Sequence, residues 1–127
     1  MRRKTIGAIL EITHRTGALL AAPAENQDVS ECNVALCLSG FRKLPKEYAR
    51  FLKKTNGYAW NGFEFFGTDE ARREAESYVL RDIVWFNEYI GARKDLADGC
   101  LVLGRFDEDI YLYDGNEKKY NQMLGKQ

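Results

Sequence analysis

The stretch Leu44-Pro45-Lys46-Glu47-Tyr48-Ala49-Arg50-Phe51-Leu52-Lys53-Lys54-Thr55-Asn56-Gly57 holds the clearest helix in the chain. Pro45 suits a first-turn position, where a missing N–H costs nothing. Tyr48, Phe51, Leu52 and Thr55 then fall on one side, opposite Lys46, Glu47, Arg50 and Lys53, so the helix has one face to bury and one to solvate. Asn56-Gly57 is expected to close it. Gly57 can take the left-handed conformation of a C-cap, and Lys53 and Lys54 complement the negative end of the helix dipole.

Downstream of this helix the pattern changes. Tyr58, Trp60, Phe63, Phe65 and Phe66 are strand formers, and Asn61-Gly62 between them is a strong hairpin turn. From Asp69 to Arg81 most residues are charged, which predicts a loop or an exposed helical turn. Asp82 is placed to cap a helix from Ile83 to about Ile90, with Gly91 beyond its end. Three strands should follow, Cys100 to Phe106, Asp109 to Asp114 and about Lys118 to Leu124, joined by turns at Asp107-Glu108 and Asp114-Gly115-Asn116.

Upstream, Asp28 and Glu31 have the spacing of a capping box, and Val29, Cys32, Ala35 and Leu36 form an apolar stripe that Gly40 stops. That predicts a helix over about 29–39. Ile6, Ile9 and Leu10 suggest an opening helix from about Lys4 to Arg15, ended near Gly17, with a short loop containing Pro23 after it. Helices first and a strand meander later predict an α+β fold, N-terminal helices packed on a mainly antiparallel sheet. Its 127 residues suffice for one domain that buries roughly two thirds of its unfolded surface.

Lys plus Arg and Asp plus Glu are both 19, so no global field draws the chain to nucleic acid or to an anionic membrane. The balance conceals an asymmetry. Residues 1–57 carry ten basic and five acidic side chains, a net of +5, and residues 58–127 carry nine and fourteen, a net of −5. Arg2, Arg3 and Lys4 precede apolar residues as in a secretory signal, but Glu11, His14 and Arg15 interrupt the apolar stretch, so no signal is expected. Nor is a membrane span expected, for want of an apolar run of about 18 residues. Three cysteines, an odd number, suit a reducing cytoplasm, and Cys32, Cys37 and Cys100 are read as small buried hydrophobes rather than ligands or a bridge.

Little in the sequence suggests catalysis. His14, the single histidine, has no serine, cysteine or carboxylate motif beside it, and the phosphate-cradling and zinc-hydrolase motifs are absent. Asp107, Glu108 and Asp109 form the densest carboxylate run, but adjacent carboxylates in a turn are usually solvated rather than convergent on a metal. No catalytic residue, cofactor or metal is therefore assigned. Tyr58, Trp60, Tyr111 and Tyr113 could stack on bases, yet the acidic half around them lacks the Lys and Arg that a nucleic-acid backbone requires.

The elements Leu44-Pro45, Tyr48, Phe51-Leu52 and Asn56-Gly57 resemble the signature of the SUKH superfamily, which includes the yeast Smi/Knr cell-wall regulators and many bacterial immunity proteins. Trp60, Gly62, Phe65-Phe66-Gly67, Leu101-Val102-Leu103-Gly104 and Tyr111 to Asp114 are similar to that family's sheet strands, so the resemblance spans roughly residues 28–120. It implies a cytoplasmic immunity protein that neutralises a cognate toxin, often a nuclease, by direct binding. The alternative it implies is a non-catalytic regulatory scaffold of the Smi/Knr type. A protein surface in the acidic, aromatic-rich half is the expectation: Glu64, Asp69, Glu70, Asp107, Glu108 and Asp109 to meet a basic partner, with Trp60, Tyr111 and Tyr113 as anchors.

Overall fold

A computed structural model of the protein describes residues 19–72, 78–90, 96 and 99–125. The expected helix over Lys4 to Arg15, His14 with it, lies outside the described residues. The elements in chain order are β1 (Leu19–Leu20), α1 (Asn26–Leu38), α2 (Lys46–Leu52), β2 (Tyr58–Trp60), β3 (Phe63–Phe65), β4 (Ala71–Arg72), β5 (Val79–Leu80), α3 (Ile83–Ile90), β6 (Cys100–Phe106), β7 (Asp109–Asp114) and β8 (Lys119–Met123). Six of the strands form one sheet in the order β1-β2-β3-β6-β7-β8, every pair antiparallel, and β4 and β5 form a separate ladder. The fold is α+β, as expected. No helix among the described residues is long and apolar enough to cross a membrane.

Each face of the sheet carries a helix. Phe65 pairs with Tyr58 and with Gly104, so these residues share one face, and Phe51 of α2 meets the Phe65 ring there edge-on at 6.1 Å. Glu64 pairs with Arg105 on the other face, where the Arg105 guanidinium lies 5.7 Å over the Phe86 ring of α3. Burying Tyr48, Phe51 and Leu52 of α2 stabilises the fold by about 1.5–3 kcal/mol for each apolar side chain.

The Leu44–Gly57 stretch is spent on this scaffold. The fully buried Tyr48 hydroxyl donates to the carbonyl of Phe66 at 2.5 Å with the Leu103 carbonyl at 3.0 Å, at the point where β3 leaves β6. Burial lifts its pKa well above the ordinary tyrosine value. Asn56 braces Thr68, accepting from its N–H at 2.7 Å and donating to its hydroxyl at 2.8 Å. The helix ends a turn before the expected stop, at Leu52, and starts at Lys46 with Pro45 outside as its N-cap. Gly57 is thus no C-cap: at φ 116 it admits Leu80, whose Cδ2 would stand 3.0 Å from any Cβ placed there.

Other expectations shift for identifiable reasons. α1 begins three residues early because Glu25, not Asp28, is its N-cap, with Asp28 the reciprocal partner that accepts the Glu25 N–H at 2.8 Å. Its end is as predicted: with Gly40 at φ 86, the Phe41 N–H reaches the Leu36 carbonyl and the Gly40 N–H the Cys37 carbonyl, a Schellman arrangement. Asp82 caps α3 by accepting the Trp85 N–H at 3.0 Å. Leu19–Leu20, read as part of a loop, adds a strand to β2. Within the charged stretch from Asp69 to Arg81, expected to be a loop or an exposed helical turn, Ala71–Arg72 pairs with Val79–Leu80 as a short antiparallel ladder.

Candidate functional site

Register places the three expected anchors together. Trp60 pairs with Phe63, Phe63 with Phe106, and Tyr111 and Tyr113 share that face two residues apart on β7. Side chains directly opposite in antiparallel strands project to the same side. The result is a half-buried aromatic row across four strands, with the Phe63 ring stacked on Phe106 at 4.2 Å and on Tyr111 at 6.3 Å. Phe63 and Phe106 were not among the expected surface residues. Strand-forming aromatics show their side of the sheet only once the register is known.

Tyr113 ends the row against Tyr120 of β8, ring centroids 4.9 Å apart, with the Arg42 guanidinium 4.7 Å over its ring. Burial and the Asp109 charge raise the Tyr111 pKa, and burial with the Glu47 charge raises that of Tyr120 to about 12. Both phenols are therefore neutral donors at ordinary pH.

The expected acidic set divides. Asp107 and Glu108 are exposed in the tight β6–β7 turn, Asp107 at φ 55, at the same end of the sheet as the Asn61-Gly62 turn. In that turn Asn61 (φ 49) and Gly62 (φ 87) both adopt positive φ, the conformation for which the pair is suited. Asp109 is engaged within the chain, accepting from the Gly125 N–H at 2.8 Å and the Gln122 amide at 3.2 Å.

Glu64 is a correction. Its side chain is 11 % exposed and both oxygens are occupied, one by Arg105 Nε at 2.5 Å and the other by the Tyr78 hydroxyl. A strand position facing a helix has no exit to solvent, so this carboxylate ties Tyr78, just before β5, to the sheet and is not free to meet a partner. Asp69 and Glu70 are exposed, but they follow β3 at its far end, where Glu70 meets Arg81 at 3.5 Å. They do not join Asp107 and Glu108 in one surface.

The cysteine expectation is corrected as well: Cys32 is buried, Cys100 half-buried and Cys37 exposed. Burial first, then the Asp82 and Asp69 charges, push the Cys32 thiol up to about 12, so it is protonated and inert. Among the described residues no group of three or more His, Cys, Asp or Glu side chains is arranged to hold a metal ion.

Sequence reasoning also missed the most exposed aromatic residues of the helices, Trp85 and Tyr89 on α3. Their four-residue spacing, which puts both rings on the side of the helix away from Ile83, Phe86 and Ile90, was the available signal. Compared with known protein families and with curated proteins, the chain matches none of them.

Proposed function

We propose that the protein is a non-catalytic binding domain, an immunity protein that neutralises a cognate toxin in the cytoplasm by covering its working surface. The observation that carries this reading is the aromatic row of Trp60, Phe63, Phe106 and Tyr111, half-buried on one face of the sheet and ending beside the exposed Asp107 and Glu108. Trp and Tyr held rigidly on a sheet supply contact area at low entropic cost, and a carboxylate pair at the row's end suits a basic surface such as the substrate groove of a nuclease. The likeness of Leu44 to Gly57 to the SUKH signature supports a toxin as the partner.

Co-expression with the toxin domain encoded beside this gene tests the reading. Survival of cells making both proteins, and a complex that endures gel filtration, are expected. Should cells making both die as fast as cells making the toxin alone, with no complex formed, the immunity role is wrong and the regulatory scaffold takes its place.

A further inference from the structure

On the opposite side of the sheet, α3 displays a stack for which the core has no use. Trp85 and Tyr89 are four residues apart and so lie one above the other along the helix, and Arg81, just before its Asp82 cap, reaches back over Trp85. The Arg81 guanidinium sits 4.7 Å over the Trp85 ring, and the Trp85 and Tyr89 rings are 5.1 Å apart and within 7° of parallel. Trp85 is 40 % and Tyr89 68 % exposed, whereas Ile83, Phe86, Asn87 and Ile90 on the inner side are buried. Two large rings kept rigid in water form an anchor waiting for a contact.

Among the described residues the charges beside α3 are mainly acidic. Asp69, Glu70, Asp82 and Glu88 stand there against Arg81, whose guanidinium is shared between Trp85 and Glu70, and Arg105, which lies over Phe86 and is paired with Glu64. We infer that this face is a second interface, separate from the aromatic row, that docks a basic segment of a protein partner. An Arg or Lys of that segment lies on the open side of Tyr89, continuing the cation-aromatic alternation, and its basic neighbours meet the carboxylates. Four carboxylates repel a nucleic-acid backbone, and two copies of this face repel each other.

The test uses the full chain labelled with ¹⁵N and a capped ten-residue peptide alternating Arg and Gly. Controls are the same peptide with Glu for Arg and a ten-nucleotide thymidine oligonucleotide. The Arg peptide should shift the Trp85 indole resonance and the amides of α3, weaken at least tenfold in Trp85→Ala/Tyr89→Ala, and lose most of its salt dependence in Glu70→Gln/Glu88→Gln. Tyr89→Ala alone, a change at a largely exposed side chain, should leave the melt unaltered and weaken binding about threefold, which keeps the test valid if Trp85→Ala unfolds the chain. Shifts that map to Asp107 and Glu108 or spread over the whole surface overturn the inference. So does equal binding of either control, or dimerisation through α3 on gel filtration. Co-expression separates this proposal from the immunity reading: failure of the unaltered protein to protect sinks that reading and leaves the titration to decide about α3.

Discussion

Asn87 shows how much one polar side chain can hold. It is buried in α3, donates to the Ile83 carbonyl and to the Val102 carbonyl, each at 2.9 Å, and accepts the Val102 N–H at 2.9 Å. Through it, α3 is hydrogen-bonded to the backbone of β6 where that strand's register shifts between Val102 and Gly104. Nothing in Ile83-Val84-Trp85-Phe86-Asn87-Glu88-Tyr89-Ile90 foretells this, because the groups it satisfies lie fifteen residues away. Asn87→Leu keeps the branched outline of the side chain but strands the Val102 N–H and carbonyl, each unsatisfied group costing about 1–3 kcal/mol, part of which the added apolar burial offsets. Urea denaturation should therefore show a loss of about 2–4 kcal/mol. Cys32 makes a pH prediction. With the folded-state pKa at about 12 against an ordinary 9.0, both states hold the proton below pH 9, and between 9 and 12 only the unfolded chain sheds it, so stability falls as pH rises through that window. The drop in urea midpoint between pH 8 and pH 10.5 should be smaller in Cys32→Ala than in the unaltered protein. At pH 8 a maleimide should label Cys37 first and Cys32 only on unfolding.

Elements were legible where a local rule decides them. The Schellman end of α1, the Asp82 cap, the Asn61-Gly62 turn and the two hairpins of β6, β7 and β8 each depend on residues within a few positions. What sequence did not disclose depends on partners far along the chain. Leu19–Leu20 becomes a strand because β2 offers it an edge, and the strap behind it is fixed to the end of α2 when Ala24 N–H reaches the Leu52 carbonyl and Asn56 N–H the Ala22 carbonyl. The junction of β3 with β6 is the element on which the sheet turns from one hairpin to the next, and Gly104 is its weak point. A Cβ there would overlap the Glu64 carbonyl and stand 2.6 Å from Phe65 Cδ1, a backbone and a buried ring with no room to retreat. Overpacking typically costs 1–3 kcal/mol, and backbone overlap adds to it. Gly104→Ala should accordingly destabilise by about 3 kcal/mol or more on thermal or urea melts, well above the roughly 1–2 kcal/mol expected of Gly62→Ala, where the cost is left-handed φ and a contact with a half-buried Phe106.

At the scale of the molecule, the charge asymmetry seen in the sequence becomes a geometry on one side of the sheet. Exposed Lys46, Arg50 and Lys53 stand on α2, the helix over Phe65, while exposed Asp107 and Glu108 stand at the turn end of the same sheet face, with the aromatic row between. The row was only partly foreseen, since Trp60, Tyr111 and Tyr113 were named but Glu64 proved internal and Asp69 and Glu70 fell at the far end. A charge pair so arranged orients a partner before contact, and rings rather than charges then set how long it stays. Reversing Asp107→Lys and Glu108→Lys should change the melt only slightly, because both side chains are exposed and the one backbone cost is that Lys fits the left-handed φ 55 at position 107 less well than Asp. It should slow association with a basic partner by about tenfold at low salt, reverse or flatten the salt dependence, and barely change dissociation. Reversing Lys46→Glu, Arg50→Glu and Lys53→Glu should do the opposite and speed association with a basic partner. Stopped-flow association at two salt concentrations reads both. If the first set changes nothing while the second abolishes binding, the partner is acidic, it docks on α2, and the acidic turn is an ordinary solvated one.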